Sequence, residues 1–250
     1  MSKLRSALVL AGLLHLGVTP LRAANDPRLI IEKAIEAHGG KERLNGQKAE
    51  IVRMEGTISA QGLTGTFHSV TSVQLPNQFK NVMRCSILGM ETSIVQVLNG
   101  EQAWMTINGE TRPIPEALRA EMEQTKYAEQ VLRLVPLIED KAYRLSLLDE
   151  IKLEGQPVVG VRVQSKGHND IDLYFDQKTG LLTKTQRTSL NGMLLPVKQE
   201  VYWSGYEKKD GINRPMKYLA FQDGKKMSNA AITEVRYPEK IDDKEFVKPE

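Results

Sequence analysis

Hydrophobic and polar residues alternate along much of the chain, and the first clear stretch starts at Glu50. Between Glu50 and Ala60, one face of an extended chain is apolar and the other is polar. The apolar face carries Val52, Met54, Ile58 and Ala60, and the polar face carries Arg53, Glu55, Thr57 and Ser59. This period of two predicts a half-buried β-strand. Similar patterns predict further strands at about 64–74, 78–86, 92–98, 101–107, 143–149, 157–165, 170–176, 181–189, 197–206, 214–222 and 227–236.

Short turn sequences join many of these strands. Asn99-Gly100 separates the segment 94–98 from 101–107, and Asn191-Gly192 and Asp223-Gly224 hold similar positions further on. Asn-Gly and Asp-Gly pairs accept positive φ angles and match the twist of a two-residue hairpin. The sheet is therefore predicted to be mostly antiparallel.

The segment Asp176-Gln-Lys-Thr-Gly180 has two interpretations. An acidic residue before Lys-Thr-Gly can belong to a phosphoryl-transfer loop, in which Asp176 would be a catalytic carboxylate. However, an alternating segment, 171–175, precedes it, and the apolar pair Leu181-Leu182 follows it. These flanks favour a hairpin loop with Gly180 at the position that needs a special dihedral angle. We therefore predict that Asp176 forms a turn.

Two segments have the period of a helix instead. The first begins at Asp26, which can cap a helix, and Pro27, which suits its first turn, and it ends before Gly39-Gly40. The second runs from Glu116 to Val135 and is stopped by Pro136. One domain is therefore predicted, with a helix before the sheet and another that interrupts the strands.

The first 23 residues have the pattern of a secretory signal peptide. Lys3 and Arg5 precede an apolar run from Ala7 to Val18, and Leu21-Arg22-Ala23 offers a cleavage junction. The run of 12 apolar residues is shorter than the roughly 20 that a membrane-spanning helix needs. We expect residues 1–23 to be removed on export and residues 24–250 to form a soluble mature domain.

Removal of this segment changes the charge of the protein. The whole chain has 34 Lys and Arg against 31 Asp and Glu. Because Lys3, Arg5 and Arg22 lie in the predicted signal peptide, the mature chain keeps 31 residues of each sign. No basic stripe with interleaved aromatic residues remains, which argues against nucleic acid as a partner.

The usual motifs for catalysis, metal binding and cofactor binding do not occur in the sequence. His38, His68 and His168 are far apart and lack the spacing of metal ligands. Cys85 is the only cysteine, and we expect it to be a buried apolar side chain rather than a nucleophile. We therefore expect no enzyme activity, no metal and no cofactor. An enzyme that uses Asp176 or His168 is the alternative, although neither can be paired with a catalytic partner.

The methionines indicate a different kind of site. Eight of the nine lie after the predicted signal peptide; Met54, Met83 and Met105 fall on predicted strands and Met122 falls on the long helix. Flexible thioethers adapt to varied apolar partners, but they also fill ordinary cores. A curled, unclosed sheet must cover its apolar face with helices or with a ligand. The pattern thus favours a cavity for an apolar molecule, with a plain core as the alternative.

Four segments match one known family in their order and spacing over nearly the whole mature chain. The helix from Asp26 to His38 is followed by Gly39-Gly-Lys-Glu-Arg-Leu44. Leu75-Pro-Asn-Gln-Phe79 is similar to an Arg-Pro-Asn-x-Phe turn, and Asn99-Gly-Glu-Gln-Ala-Trp104 to an Asp-Gly-x-x-x-Trp hairpin. Ile241-Asp-Asp-Lys-Glu-Phe-Val-Lys-Pro249 resembles a closing segment. Together they resemble the periplasmic lipoprotein carriers related to LolA and the wider outer-membrane lipoprotein-sorting group.

The resemblance implies a fold and an activity. The fold would be α+β and mainly β, an incomplete antiparallel β-barrel of about eleven strands with helices as its lid. The protein would be a periplasmic monomer that carries acyl chains of lipoproteins or lipids towards the outer membrane, between membrane-bound donor and acceptor proteins. The residues expected to line the acyl cavity are Met54, Phe79, Met83, Trp104, Leu118 and Met122.

One position departs from the family. Its carriers often have an Arg before the Pro-Asn pair, which takes part in closing and opening the lid, whereas this chain has Leu75. Lid control by that Arg is therefore not expected here. The same fold also suits a second function, an envelope sensor or interaction module that binds a lipid or lipoprotein and signals to another protein.

Overall fold

The computed structural model describes residues 26–60 and 62–248. The predicted signal peptide, residues 1–23, lies outside this part of the chain. The helices of the described residues are α1 (Pro27–His38), α2 (Lys41–Gly46), α3 (Glu116–Val131) and α4 (Pro136–Glu139), and a 3-10 helix covers Asp243–Phe246. The strands are β1 (Ala49–Ala60), β2 (Leu63–Gln74), β3 (Gln78–Ile87), β4 (Met90–Asn99), β5 (Gln102–Ile107), β6 (Glu110–Arg112), β7 (Arg144–Leu153), β8 (Gln156–Gln164), β9 (Ile171–Asp176), β10 (Leu182–Leu190), β11 (Pro196–Lys209), β12 (Ile212–Gln222) and β13 (Lys225–Arg236).

These strands form one open antiparallel sheet in the order β6-β5-β4-β3-β2-β1-β13-β12-β11-β10-β9-β8-β7. Two meanders, β1 to β6 and β7 to β13, meet where β1 pairs with β13. The predicted open, mainly β fold is therefore confirmed, with 13 strands instead of about eleven. The strand missing from the sequence pattern is β6, which is too short to display a period of two.

The connection between the two meanders sets the position of α3. The chain leaves the sheet at β6, on one edge, and re-enters it at β7, on the other. The segment between them, which contains α3 and α4, therefore crosses one face of the sheet. We call this the inner face, and the opposite one the outer face. None of the helices in the described part of the chain is long and apolar enough to cross a membrane.

The sequence signals at the ends of α1 act as predicted. Asp26 Oδ1 accepts a hydrogen bond from the N–H of Arg28 at 2.9 Å, and Pro27 begins the helix. The helix ends at Gly39, whose φ is 134°. A Cβ at Gly39 would lie only 2.8 Å from the carbonyl oxygen of Gly211. Glycine is therefore required for α1 to end this close to the sheet.

The second predicted helix, 116–135, is broken before its expected end. α3 stops at Val131, Leu134 has a φ of 62°, and α4 starts at Pro136. Proline has no N–H with which to continue a helix. The break turns Leu134 and Val135 into the core, where they are 2% and 1% exposed.

Two apolar clusters hold the helices on the inner face, and a third lies on the outer face. The largest packs α1, α3 and α4 against β8 to β10 and includes Ile31, Ile35, Val131, Leu173 and Phe175. The second joins the start of α3 to β2, β3 and β4 through Val73, Phe79, Leu98 and Met122. On the outer face the C-terminal segment covers the sheet with Ala49, Val97, Ile241 and Phe246.

The loop after β9 is a turn, as predicted. Asp176 Oδ1 accepts hydrogen bonds from the N–H of Thr179 at 2.6 Å and from its hydroxyl at 2.8 Å. These bonds hold the pKa of the Asp176 carboxyl below its ordinary value. Gly180 has a φ of 75°, the special angle expected for it. The prediction that Asp176 forms a turn is confirmed.

Candidate ligand cavity

A cavity of about 370 Å³ lies between the inner face of the sheet and α3. Ligand pockets in proteins have volumes of roughly 300–1,000 Å³. One wall comes from β1 to β4 and the other from β10 to β13, while α3 forms the roof and the end of α1 closes one side.

The first wall is apolar where β1, β2 and β3 meet. Val52 and Met54 project from β1, Val73 from β2 and Phe79 from β3. Val73 is directly paired with Phe79, so the two side chains form a cross-strand contact on the inner face. They are 3% and 4% exposed, respectively. Strand alternation thus supplies a continuous apolar surface along one side of the cavity.

A polar row follows this apolar surface on the same wall. Thr71, Asn81 and Gln96 line the cavity from β2, β3 and β4, and they are paired in register across the three strands. Asn81 Nδ2 donates a hydrogen bond to Thr71 Oγ1 at 2.9 Å. This hydrogen bond satisfies part of the hydrogen-bonding capacity of the polar row, so the row can lie beside the apolar surface.

The roof changes from apolar to polar along α3. Leu118, Met122, Thr125 and Glu129 line the cavity. Because their spacings are four, three and four residues, they lie on one face of the helix. Leu118 and Met122 pack against Phe79 and its neighbours. The N-terminal half of α3 therefore faces the apolar wall, and Glu129 faces the other end of the cavity.

Two aromatic residues form the opposite wall. Trp203 on β11 and Tyr218 on β12 are in edge-to-face contact, with ring centroids 5.3 Å apart. The indole N–H of Trp203 donates to Thr185 Oγ1 at 3.4 Å. Ile232 on β13 completes this wall beside Met54, with which it is paired. This side of the cavity therefore offers large apolar surfaces, and its indole N–H is hydrogen-bonded.

One end of the cavity is charged. Glu50 forms ion pairs with two arginines: its Oε2 lies 3.0 Å from Arg133 Nη2, and its Oε1 contacts Arg214 Nη2. The side chains of Glu50 and Arg133 are only 4% and 9% exposed. Burial lowers the pKa of both guanidinium groups. Two arginines thus share one buried carboxylate, and we call Glu50, Arg133 and Arg214 the charged end.

Two acidic residues of α3 near this end differ in their pairing. Glu121 Oε1 accepts Arg187 Nη2 at 2.8 Å, and Glu121 Oε2 accepts the N–H of Leu190 at 3.2 Å. Glu129 forms no ion pair with any residue of the described part of the chain. Burial raises the pKa of the Glu129 carboxyl, although Arg133 and Arg187 act in the opposite direction. Desolvation therefore favours the neutral acid at Glu129.

His38 closes the cavity beside Arg214. Its Nδ1 lies 2.7 Å from the carbonyl oxygen of Ala34, to which it donates, and its Nε2 lies 3.5 Å from the hydroxyl of Tyr206. Burial lowers the pKa of His38, and the positive charge of Arg214 lowers it further. A neutral imidazole with its proton on Nδ1 satisfies these contacts.

Four of the six predicted lining residues surround the cavity: Met54, Phe79, Leu118 and Met122. Met83 lies on the inner face but one row beyond the cavity, paired with Ser69 and Ile94. Trp104 is outside the cavity, contrary to expectation. It is paired with Val97 and packs against the outer-face cluster that contains Phe246. The hairpin motif Asn99-Gly-Glu-Gln-Ala-Trp104 does not fix which face of the sheet the indole of Trp104 occupies.

Sequence reasoning missed the charged end, although β1 contained a signal for it. Glu50 has the same strand parity as Val52 and Met54, so the alternation itself puts a carboxylate on the predicted buried face. A charged residue at such a position requires a partner. The partners, Arg133 and Arg214, come from distant segments that only the topology brings together.

The described residues contain no group of three His, Cys, Asp or Glu side chains that could hold a metal ion. His68 lies near Glu55, with 3.5 Å between Nδ1 and Oε2, and His168 stacks on Tyr127 with ring centroids 3.9 Å apart. Cys85 is half-buried, and its Sγ lies 3.7 Å from the carbonyl oxygen of Thr92. These side chains have structural partners and lie away from the cavity.

Comparison with solved structures identifies the fold. No protein-family model matches the sequence, and neither does any curated protein. A LolA superfamily protein from Nitrosomonas europaea superposes with a TM-score of 0.54 at 13% identity, over 89% of this chain and 97% of the other. An outer membrane lipoprotein-sorting protein domain from Vibrio parahaemolyticus gives 0.51 at 12% identity, over 88% and 95%. The expected resemblance is therefore confirmed at the level of architecture, and the chain has a LolA-like fold.

Proposed function

We propose that the protein is a soluble, exported carrier that holds acyl chains of lipoproteins or lipids in the cavity under α3 for transfer towards the outer membrane. The observation that carries this proposal is the apolar lining, formed by Met54, Phe79, Leu118 and Met122, within an open sheet. The likeness in fold to a lipoprotein-sorting protein domain supports it.

Burial of an alkyl chain in this lining accounts for affinity. Each CH₂ group removed from water contributes about 0.8 kcal/mol. The apolar wall offers such burial without any polar contact to the chain. Because this burial alone supplies a high affinity, release of the chain requires a partner protein that opens the cavity. Membrane-bound donor and acceptor proteins are therefore part of the proposal.

The roof must move for a chain to enter, and its present attachments indicate what opening would break. Leu75, at the position of the family's Arg, packs in the apolar cluster with Phe79 and Met122. Polar contacts to the roof come from elsewhere: Gln130 Nε2 donates to the carbonyl oxygen of Pro76 at 3.1 Å, and Arg133 pairs with Glu50. Opening of this lid would thus break these contacts and the bonds of Glu121 on α3 to Arg187 and to the N–H of Leu190, rather than a contact of an arginine at residue 75.

Replacement of Met122 tests the proposal. Met122→Asp puts a carboxylate into the apolar roof, and we expect it to reduce binding of a fluorescent fatty-acid analogue by roughly 100-fold, because burial of an unpaired charge is costly. The matched control is Met90→Asp, which makes the same change at a side chain that is 66% exposed. Circular dichroism of both variants reports whether the sheet is intact. Unchanged binding in a folded Met122→Asp variant would rule out the cavity as the acyl site.

A further inference from the structure

The charged end has more positive than negative charge among groups in direct contact. Arg133 and Arg214 both pair with Glu50, so two guanidinium groups face one carboxylate. Buried charges are stable only when they are paired and hydrogen-bonded. Among the described residues, the cluster therefore has one positive charge that no contacting carboxylate neutralises.

The groups that surround the cluster do not supply the missing negative charge. Glu129 is the neighbouring carboxyl group in the cavity lining, and it forms no ion pair with the described residues; its burial favours the neutral acid. Glu121 is committed to Arg187. Tyr237 lies against Arg214, with its ring centroid 5.7 Å from Cζ, and burial raises the pKa of its hydroxyl. Within the described residues, the cluster therefore has no second carboxylate partner, and it borders the cavity through Arg214.

Arg214 is the cation that an anion in the cavity can reach. It lines the cavity, and its side chain is 26% exposed, compared with 4% for Glu50. A guanidinium group presents five N–H donors, and one carboxylate does not use them all. Its remaining donors are therefore available to a second oxyanion in the geometry that arginine favours.

The charged end is continuous with the apolar wall. Glu50 is directly paired with Val73, which is in turn paired with Phe79. Val52 and Met54 follow Glu50 on the same face of β1. A molecule with an oxyanion beside Arg214 would therefore lay an attached alkyl chain along Val52, Met54 and Phe79.

We infer that the cavity selects anionic amphiphiles. Their alkyl chain binds along the apolar wall, and their oxyanion, a carboxylate or a phosphate, is bound by Arg214 with Arg133 behind it. This inference rests on the proposed function, because it assumes that the cavity holds the chain. It goes beyond that function in assigning a preferred charge to the cargo. A neutral or cationic head on the same chain lacks the ionic contact.

A ligand series of constant chain length tests this preference. The purified protein, expressed as the full chain with its own signal peptide, is titrated with hexadecanoate, hexadecyl phosphate, hexadecanol and hexadecyltrimethylammonium in competition with a fluorescent alkyl probe. We expect one or both anions to bind roughly tenfold or more tightly than hexadecanol, and the ammonium to bind more weakly than hexadecanol. The tighter of the two anions identifies the head group as carboxylate or phosphate.

Arginine variants assign the preference to this site. Arg214→Gln should weaken binding of the anions, so that their affinities and that of hexadecanol differ by no more than about twofold. The matched control is Arg162→Gln, because Arg162 forms a two-bond ion pair with Asp172 on the outer face. If Arg214→Gln fails to fold, Glu129→Gln gives an independent test, since removal of this carboxyl should preserve or increase the preference for anions.

The outcomes separate the inference from the proposed function. Equal affinity for all four compounds, or a preference for anions that persists in folded Arg214→Gln, overturns the inference and leaves the carrier proposal intact. Failure of every compound to displace the probe, together with failure of the probe itself to bind, overturns both.

Discussion

Val73 and Glu50 are paired neighbours on the inner face of the sheet, yet they belong to differently built regions of the cavity. Val73 packs with Phe79, Leu98 and Met122, and its stability comes from burial alone. Glu50 is equally inaccessible, but its burial is tolerated only because Arg133 and Arg214 surround it. The comparison shows that one strand face can hold both an acyl surface and an ionic site when distant segments supply the counter-charges.

Removal of the shared carboxylate should give the largest effect on stability. Glu50→Ala leaves Arg133 and Arg214 together without a partner, and we expect a loss of about 3–5 kcal/mol in the free energy of unfolding. Urea denaturation measures this. Glu234→Ala is the control, because Glu234 pairs with Arg53 and Arg236 at the surface, and its loss should stay below about 1 kcal/mol. Equal losses in the two variants would show that the charged end contributes no more than a surface pair.

Replacement of the two acidic residues Glu121 and Glu129 of α3 should change the free energy of unfolding in opposite directions at about pH 7.5. Burial raises the pKa of Glu129, so the folded state binds this proton at a higher pH than the unfolded state does. The protein therefore gains stability as the pH falls through the raised pKa. We therefore expect Glu129→Gln to be more stable than the wild type at about pH 7.5, with a difference that narrows towards about pH 5. Urea midpoints across this range measure it.

A matched variant sharpens the pH experiment. Glu121→Gln makes the same change on the same helix but breaks the ion pair with Arg187, so it should be destabilising at about pH 7.5. The lowered pKa of His38 makes the protein lose stability below about pH 6.5. Because His38 is present in the wild type and in both variants, this contribution cancels when their stabilities are compared. A Glu129→Gln variant that is less stable than the wild type at about pH 7.5 would contradict the description of Glu129 as unpaired.

A smaller effect, a change in tryptophan fluorescence, should show on which face of the sheet a ligand binds. Trp203 lines the cavity, whereas Trp104 lies on the outer face beneath the C-terminal segment. Addition of an alkyl ligand should therefore change tryptophan fluorescence in the Trp104→Phe variant and leave it unchanged in Trp203→Phe. The reverse pattern would mean that ligand binds at the outer face.

The sequence predicted the elements better than it predicted the site. Strand alternation and turn pairs depend on neighbouring residues, so β1 and most other strands could be located, as could α1 and the Asp176 turn. The exception is β6, with only three residues. Met54, Phe79, Leu118 and Met122 were found around the cavity because strand and helix periods fix which side chains share a face.

What the sequence could not supply are contacts between distant segments. Arg133 lies in the unexpected break between α3 and α4, and Arg214 comes from β12, so neither period nor spacing relates them to Glu50. Trp104 illustrates the same limit, since its face depends on the register between β4 and β5 and on what the C-terminal segment covers. Side-chain chemistry at a cavity is thus set by topology as much as by local pattern.

Mass spectrometry of apolar molecules that co-purify with the full chain, expressed with its own signal peptide, tests whether the cavity carries acyl chains. We predict acylated protein or lipid in near-stoichiometric amounts with the wild type and with Met90→Asp, and its loss from Met122→Asp. Lipid retained equally by all three proteins would contradict the cavity as the acyl site, and lipid absent from the wild type while added fatty acid also fails to bind would contradict a carrier function.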